Sequence, residues 1–440
     1  MDKVKIKIVD DQKPEDLAML QALYSRSPAS VDDHLKKVGN AGSGNFMDKF
    51  YIGYGHKSIG DCGTTTIFIE GVTMLTAKAF QDWPLYSGQE ASTRYMDFSE
   101  AVFSDPLEKT GSVKGREIQE RWRGFYLGAG PVVKEHIRKR YPINKGEDKK
   151  TYDRAVNARS FDILRSFLPA GAATNLSWHT NLRQAGDHLA SLKLHPDPNV
   201  VEVANRVWDE LIEKYPNSFK NRSDQEEYRS EVMRNHHFLV ADSGYPDYSS
   251  DKALVTCSFN QHSMEASDID ILKQRPRGIG APRYLADLGN IQSTFALDFG
   301  SYRDLQRHRN GTIRMPLLTT GLGFNSWYLD QLPTELRKRA VALIATQSES
   351  IDSLECDPFV RQNYIAMGFN VPCKVTQNLP AFMYRIELRS SKSVHPSLRR
   401  IVHGEIKQFR SLFPDVPIYV DEDQDSWTIR RGSQTIEEKS

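Results

Sequence analysis

The sequence predicts an α+β protein made of two tandem domains that repeat the same order of elements. Apolar residues recur at helical spacing, and short stretches rich in Thr, Ile, Phe and Val recur between those helices, in both halves of the 440-residue chain. The halves meet in a polar segment, residues 219–251, which has the composition of a connection. We therefore predict one domain at residues 1–225 and a second at residues 226–440.

The first half is predicted to begin with a strand at the N-terminus, where charged and apolar residues alternate, and to continue with a helix that has Pro14 near its start. A strand, three helical stretches and a break at Leu168-Pro169 follow. These elements are placed at 14–24 (helix), 64–73 (strand), 116–141, 152–167 and 199–215 (helices).

The second half is predicted to repeat this order more loosely. Its elements are placed at 293–299 (strand), 334–346 and 397–413 (helices). Leu379-Pro380 is interpreted as the counterpart of Leu168-Pro169, and the charged tail from Arg430 as mobile.

Bulk composition excludes several classes of protein. The net charge is +1 and the charged fraction is 26%, so no global charge favours a nucleic acid polymer or a membrane surface. Four cysteines without a C-x-x-C pair, and histidines without ligand spacing, predict neither a disulfide scaffold nor a metal site. With no signal-like N-terminus and no long apolar run, we expect a cytoplasmic protein.

Two segments look like halves of one broken motif. Residues 81–95 and 306–320 align so that Asp82 lies on Arg307 and Ser87 on Thr312. The first segment keeps a carboxylate, a hydroxyl and a guanidinium, at Glu90, Ser92 and Arg94; the second keeps Arg307-His308-Arg309. Each lacks what the other has, which suggests duplicated domains that divide one active site.

The Arg307-His308-Arg309 triplet places two guanidinium groups around an imidazole. Guanidinium groups match phosphate oxygens bidentately, so the triplet suits a dianionic or diphosphate ligand. The alternative is a solvated basic turn, because short motifs often match by chance.

Glu90, Ser92 and Arg94 share one face if their segment is extended. Together they would form a wall that binds phosphate through the arginine and serine, and a sugar or base through the carboxylate. The alternative is a surface strand with an internal Glu–Arg pair.

These residues resemble the signature of the flavin-dependent thymidylate synthases, the ThyX family. That signature runs Arg-His-Arg, then serine, then Glu-x-Ser-x-Arg-Tyr; its first part matches 307–309 and its last part 90–95. The resemblance spans most of residues 10–216 and, more weakly, about 252–414. It implies that each domain has a mainly antiparallel sheet with flanking helices.

Further segments extend the resemblance. Residues 55–62 resemble the family's Gly-His-x-Ser/Thr-x-x-Glu-His segment, which implies that His56 and Ser58 contact flavin. Residues 165–169 resemble its Arg-x-x-Leu-Pro, which implies that Arg165 binds the nucleotide. Residues 181–183 resemble its flavin-binding Asn-Ala-Arg, which implies the same role for Asn181 and Arg183. Asp187 falls where the family often has a flavin-contacting asparagine.

Each half also departs from the family pattern. Asp82-Trp83-Pro84 replaces Arg-His-Arg in the first half, where a carboxylate would repel a flavin phosphate and proline lacks a donor. In the second half Met315, Leu317 and Thr319 replace the wall, and Thr376 falls where the nucleotide arginine would stand.

The family is a homotetramer with active sites between subunits, so the resemblance implies a homodimer of this chain that forms a pseudo-tetramer. We expect the competent sites to combine the wall of the first domain with Arg307, His308 and Arg309 of the second. Random decay would have no reason to spare opposite halves.

The family's last nucleotide arginine, thought to ionise the pyrimidine, has no clean match. In the first half its position falls on Leu192 or Lys193; in the second, Arg399 and Arg400 are candidates. We take Arg307 and Arg399 as the catalytic candidates. His195-Pro196 and His395-Pro396 are interpreted as structural turns.

The resemblance implies an FAD-dependent enzyme that transfers a one-carbon unit from methylenetetrahydrofolate to C5 of dUMP, with NADPH as reductant. The altered base-ionising position favours an alternative, a flavoenzyme of the same fold that modifies another pyrimidine nucleotide. A second alternative is a non-catalytic flavin- or nucleotide-binding protein. In each case the partner is a small-molecule nucleotide.

Overall fold

The computed structural model describes residues 9, 11–27, 29–53, 56–92, 96, 98–219, 226–238 and 253–423. These residues form helices and two small antiparallel sheets, which confirms the predicted α+β class. The predicted N-terminal strand, apart from Val9, and the tail from Arg430 lie outside the described residues.

Seven strands of the described residues form the two sheets. They are β1 (Thr64–Thr73), β2 (Ser87–Glu90), β3 (Ala173–Asn181), β4 (Leu254–Cys257), β5 (Asn290–Asp298), β6 (Thr312–Arg314) and β7 (Asn370–Asn378). One sheet has the order β1-β3-β2 and the other β4-β5-β7-β6.

The principal helices flank these sheets. They are α1 (Pro14–Tyr24), α2 (Val31–Ala41), α3 (Met74–Gln81), α4 (Lys114–Arg140), α5 (Lys149–Leu164), α6 (Leu182–Leu192), α7 (Pro198–Lys214), α8 (Glu226–Phe238), α9 (Ala266–Gln274), α10 (Phe299–Leu305), α11 (Thr334–Asp352), α12 (Leu379–Arg389) and α13 (Pro396–Leu412). Two short 3₁₀ turns, Lys57–Cys62 and Arg283–Leu288, precede β1 and β5.

The chain divides into two compact units. The first contains residues 1–72, 76–91 and 174–234, and the second contains 73–75, 92–173 and 235–440. Residues 92–173 thus group with the second half, whereas the repeat pattern assigned them to the first domain. Helix α8 lies inside the predicted connection. The domain boundary at 225/226 stays a prediction.

The core of the first unit is built from one face of its sheet and two amphipathic helices. Leu176 and Trp178 alternate with half-exposed or exposed neighbours along β3 and are buried. Leu182 and Leu189 of α6 and Trp208 of α7 pack in the same cluster. This burial holds α6 in place, and α6 carries three of the predicted flavin-contacting positions at or near its start.

In the second unit, the Leu168-Pro169 break is part of the core. Backbone N–H of Ala170 donates to Ile365 at 2.8 Å, and that of Met367 donates to Leu168 at 2.9 Å. The segment after α5 is therefore antiparallel to residues 363–368. Trp122 of α4 is fully buried and donates to the carbonyl of Tyr364 at 3.0 Å.

The strand register identifies equivalent positions in the two sheets. Ser87 pairs with His179, two residues before β3 ends, and Thr312 pairs with Thr376, two residues before β7 ends. β3 and β7 are each nine residues long and end in an asparagine that caps the next helix. Asn378 is therefore the counterpart of Asn181.

This correspondence corrects the interpretation of Leu379-Pro380. Leu379 begins helix α12 as Leu182 begins α6, so the counterpart of Leu168-Pro169 is Ile365-Ala366, just before β7. Thr376 lies inside β7 and is not at the arginine position; Gln362 is. A proline at N1 or N2 starts a helix as readily as it ends a segment, which explains the error.

Most predicted element types are observed, with shifts at the ends. The strand predicted at 293–299 runs from Asn290 to Asp298, and Phe299 already belongs to α10. The helix predicted at 334–346 continues to Asp352. His395 caps α13 through its side chain, as Asp197 caps α7, so Asp197 and not His195 is its counterpart.

Candidate functional site

A pocket of about 910 Å³ opens in the second unit around the Arg-His-Arg triplet. Three segments form its walls: the turn at 280–287, the triplet with Asn310, and the end of β7 with the first turns of α12. The lining residues are Gly280, Ala281, Arg283, Tyr284, Ala286, Asp287, Arg307, His308, Arg309, Asn310, Gln377, Asn378, Pro380, Ala381 and Tyr384.

The triplet is held in the pocket by a tight turn against β7. Gln377 donates from Nε2 to the carbonyl of Asn310 at 2.8 Å. Gly311 follows with φ of 114°, and a Cβ there would lie 2.5 Å from the carbonyl oxygen of Thr376. Glycine is required at this position both for the backbone angle and for the close approach.

The three members of the triplet differ in exposure. The Arg307 side chain is 53% exposed and faces Asp304 across 3.8 Å. His308 is only 7% exposed, and Arg309 donates to the carbonyl of Arg307 at 3.3 Å. A buried imidazole between two guanidinium groups is inconsistent with a simple solvated turn.

Arg389, at the end of α12, was not predicted from the sequence. Its Nε donates to Nε2 of His308 at 2.7 Å. Burial, together with the positive charges of Arg389, Arg385 and Arg309, lowers the pKa of His308 to about 2. The imidazole is therefore neutral at physiological pH.

Arg385 holds α12 in place through contacts with α13 and β7. It is fully buried and forms a two-pronged ion pair with Glu405 of α13, with both N–O distances 2.8 Å. Its Nε donates to Oε1 of Gln377 at 2.7 Å. Arg385 thus ties together α12, α13 and the end of β7, which carry one wall of the pocket.

The charges and rings of the pocket suit an aromatic anion. Arg283, Arg307 and Arg309 face a single carboxylate among the lining residues, that of Asp287. Tyr284 and Tyr384 are 51% and 57% exposed and offer ring faces. Guanidinium groups bind phosphate oxygens, and tyrosine rings stack on heterocycles.

The predicted flavin-contacting positions of the first unit are brought together. His56 begins the 3₁₀ turn that carries exposed Ser58, and this turn packs against α6. Arg183 of α6 donates to Asp61 of the turn at 2.7 Å, and this hydrogen bond raises the pKa of Arg183. Asn181 caps α6 by accepting from the Gln184 N–H at 2.8 Å.

Asp187 lies on the next turn of α6, and its carbonyl accepts from Arg229 at 3.3 Å. The negative charge of Asp187 contributes to the raised pKa of Arg183. The counterpart of Asp187 in the second unit is Tyr384, six residues after Asn378. The two units therefore present different chemistry at this position.

Trp83 occupies the triplet position in the first unit. Its ring stacks on that of His188 with centroids 4.6 Å apart, and its Nε1 donates to Gln184 at 2.9 Å. Asp82, in place of the first arginine, is paired with buried Lys78. The side chains that would hold an anion here are replaced by a packed indole and an internal ion pair.

His188 beneath Trp83 gives a pH-dependence that can be measured. Burial lowers the pKa of His188 to about 4, whereas an unfolded histidine titrates near 6.5. The stability that neutral His188 provides is complete above pH 6.5 and is lost as the pH falls toward 4. We expect the wild type to lose about 1 kcal/mol per pH unit across this window relative to His188→Gln.

Glutamine is the matched control because its amide can replace the contact of His188 Nε2 with the carbonyl of Phe80, 3.0 Å in length, without titrating. The measurement is urea unfolding of both proteins at pH values from 4 to 8. Parallel curves for the two proteins would show that His188 does not titrate between the folded and unfolded states.

Only the first residue of the predicted nucleotide wall lies within an observed strand. β2 ends at Glu90, which accepts from Gln81 at 2.8 Å. Ala91 still donates to the carbonyl of Asn175, but exposed Ser92 lies beyond the strand. Whether Glu90, Ser92 and Arg94 share one face stays a prediction. Arg94 lies outside the described residues.

Arg165 lies in the second unit, on the 3₁₀ turn after α5, and is 8% exposed. Its Nε and Nη2 atoms are buried and donate to no described residue. Burial opposes its charge, but Tyr328, Asp162 and Asp298 raise its pKa overall. Its counter-charges are thus buried protein carboxylates, and its nucleotide-binding role stays a prediction.

Arg399 of α13 is 3% exposed and donates to two backbone carbonyls, those of Ser390 at 2.9 Å and Asp423. Arg389 fits the missing position better. It follows Asn378 by eleven residues, as Leu192 follows Asn181, and Leu192 is one of the two residues on which the family's last arginine falls. This equal spacing could have identified Arg389 from the sequence.

Comparison with known families identifies one match in the first half of the chain. The sequence model of the family described as thymidylate synthase complementing protein matches residues 7–217. Residues 7–217 carry a domain of that family. The resemblance inferred from Glu90, Arg165 and Asn181 is thereby confirmed for this part of the chain. The thymidylate synthase complementing protein domain indicates a thymidylate synthase-like enzyme.

Relatives that match most of the chain are found in species of Chlamydia and Thermoplasma. Proteins named UPF0159 protein from Chlamydia muridarum and Chlamydia pneumoniae are 26% and 24% identical, over 88% and 84% of this chain and 82% and 79% of their own lengths. One from Thermoplasma acidophilum is 23% identical over 90% of this chain and 93% of its own. The similarity to these proteins therefore extends into the second half.

Two kinds of feature are absent from the described residues. None of the described helices is long and apolar enough to cross a bilayer. In the same residues, no group of three or more His, Cys, Asp or Glu side chains is arranged to hold a metal ion.

Proposed function

We propose that the protein is an FAD-dependent thymidylate synthase that methylates C5 of dUMP, using methylenetetrahydrofolate and NADPH. The observation that carries this proposal is the cationic, tyrosine-lined pocket around Arg307, His308 and Arg309 in the second unit. It supports the proposal because the triplet lost from the first half is built into an open pocket in the second. The residues present fit a flavin dinucleotide, which offers a diphosphate and two ring systems.

The protein's own residues would bind, orient and shield the flavin. Arg283, Arg307 and Arg309 would hold phosphate oxygens, and Tyr284 and Tyr384 would pack against a ring. In the first unit, His56, Ser58, Asn181, Arg183 and Asp187 are the proposed flavin contacts. When bound, FAD would supply the hydride chemistry that protein side chains lack.

Arg389 replaces Arg399 as our candidate for ionising the pyrimidine. Arg399 is committed to carbonyl oxygens, whereas the terminal nitrogens of Arg389 donate to no described residue and are free for a ligand. A guanidinium beside the base would stabilise negative charge that develops on it. Arg307 remains the second catalytic candidate.

The nucleotide wall is proposed to come from Glu90, Ser92 and Arg94, with Arg165 as a further contact. We propose that the wall of the first half and the triplet of the second combine in a homodimer that forms a pseudo-tetramer. The supporting facts are the complementary losses in the sequence and the Trp83–His188 stack, which replaces the anion site in the first unit.

The alternative of a different pyrimidine substrate drew its support from the missing base-ionising arginine. Arg389, at the spacing of that position, would supply the missing guanidinium and supports dUMP as the substrate. An activity assay distinguishes the proposed enzyme from the alternative of a non-catalytic binding protein.

The deciding experiment is tritium release from dUMP labelled at C5, with purified protein, FAD, NADPH and methylenetetrahydrofolate. We expect release that depends on all three additions, and a bound flavin visible by its absorbance. Bound flavin without release would support the non-catalytic alternative, and release without folate would point to another reaction.

A further inference from the structure

His308 is buried with one ring nitrogen occupied and the other available. Its Nε2 lies 2.7 Å from Nε of Arg389, and the side chain is 7% exposed. Nδ1 has no hydrogen bond to any described residue, yet it is not enclosed among the buried, unpartnered atoms. Because His308 lines the pocket, Nδ1 is the polar ring atom left for a ligand.

The contact with Arg389 determines where the imidazole proton resides. An arginine nitrogen only donates, so Nε2 of His308 must be the acceptor and carry no proton. The neutral ring then holds its proton on Nδ1. A neutral histidine without such a contact can adopt either tautomer. Once the hydrogen-bond partner of one ring nitrogen is fixed, the protonation of the other nitrogen is fixed as well.

We propose that Arg389 is a positioning residue that fixes His308 as the neutral Nδ1–H tautomer, so that the triplet presents a permanent hydrogen-bond donor to an acceptor atom of an anionic ligand. The part of this inference that concerns a ligand rests on the proposed function. The tautomer does not, because it follows from the ligand-free geometry.

The charges around the ring support the same state. His308 faces cations from its own turn and from α12, and the nearby carboxylates lie on α10 and across the pocket. These groups are Arg307, Arg309, Arg385, Arg389, Tyr384, Arg283, Asp304 and Asp287. With cations predominating, a third positive charge between Arg307 and Arg309 is disfavoured.

The consequence is a ligand site that does not change with pH. An ordinary histidine beside a phosphate would gain a proton near pH 6.5 and strengthen binding in acid. His308 should instead donate from Nδ1 with constant strength between pH 5.5 and 8.5. Affinity for FAD, whose diphosphate does not titrate in this range, should then change less than about twofold.

The tautomer is tested by long-range ¹H–¹⁵N NMR of the histidine side chains in the full-length protein, with His308 assigned by its loss in His308→Asn. We expect a protonated Nδ1 and an unprotonated Nε2, unchanged from pH 5.5 to 8.5. In Arg389→Met, we expect the ring to titrate or to move its proton to Nε2. Arg277→Met, at an exposed position that does not line the pocket, is the matched control and should leave the signals unchanged.

The donor role is tested by flavin fluorescence. Asparagine can place an amide N–H near the Nδ1 position, so His308→Asn should bind FAD within about threefold of the wild type. Leucine has no donor, and His308→Leu should bind about tenfold more weakly.

The inference about His308 and the proposed function can be refuted independently. A cationic or Nε2-protonated His308 in the wild type, or equal loss of affinity in both variants, would overturn the inference even if FAD binds. An Nδ1–H ring in a protein that binds no flavin would leave the tautomer assignment standing and refute the proposed function.

Discussion

Replacing Arg385 by methionine is expected to destabilise the second unit by about 3–5 kcal/mol. The substitution leaves Glu405 as an uncompensated charge at a position with 0% exposure, and it also removes the donor to Gln377. A buried ion pair that loses one partner costs far more than a surface pair, because the remaining carboxylate is deprived of water. The measurement is urea unfolding at pH 7, followed by tryptophan fluorescence.

Two variants control for this effect. Lys338→Met removes one partner of the ion pair with Glu335, whose side chains are 68% and 82% exposed, and should cost less than about 1 kcal/mol. Replacing both members, Arg385→Met with Glu405→Leu, should recover much of the lost stability because no unpaired charge remains. A single variant no less stable than the double one would show that the buried charge is not the cause.

Replacing Arg307 by alanine is expected to weaken FAD binding by about 10- to 100-fold, the loss typical of a charge-assisted hydrogen bond. Arg307 lines the pocket, is 53% exposed, and is engaged only loosely by Asp304 at 3.8 Å. It is therefore available to a phosphate, and its removal should cost little stability. Flavin fluorescence titration and thermal unfolding measure the two quantities.

Arg277→Ala is the matched control for Arg307. It removes the same charge from an exposed position in the same unit that does not line the pocket. If both variants bind FAD equally well, the pocket around the triplet is not the flavin site and the composite-site proposal fails.

Arg307→Ala can also test whether the wall and the triplet of one site come from different chains. If the wall of one chain serves the triplet of another, mixing inactive Glu90→Ala and Arg307→Ala chains should restore activity, since a mixed dimer contains one intact pairing. If each chain completes its own site, the mixture should stay inactive. Either outcome is read from tritium release after the chains have been unfolded and refolded together.

Much of the secondary structure was predictable because it follows local rules. α1 has the bounds predicted from Pro14 and its apolar residues, and β1 is the strand predicted from its Thr, Ile and Val content. Helix ends were less predictable: α11 continues to Asp352 because its later residues pack on the core through Gln347 and Ile351. Such packing is not visible in a local pattern.

The candidate site was predictable only in part. The Arg-His-Arg triplet is a sequence feature, and its likeness to a known signature needed no structure. That His308 is buried, and that Arg389 lies 81 residues further along the chain at its Nε2, depend on how α12 packs beside the triplet. The stacking of Trp83 on His188 of α6 is likewise a contact between distant segments of the chain.

The sequence by itself determined the class of the fold, the family of residues 7–217 and the unequal division of motifs between the halves. Only the tertiary structure decided which residues are counterparts. A Leu-Pro pair occurs in both halves, but strand register shows that one precedes a strand and the other begins a helix. Hydrogen-bonded register and buried contacts constrain position more strongly than they constrain residue type, so they identify counterparts that the residue pattern misplaces.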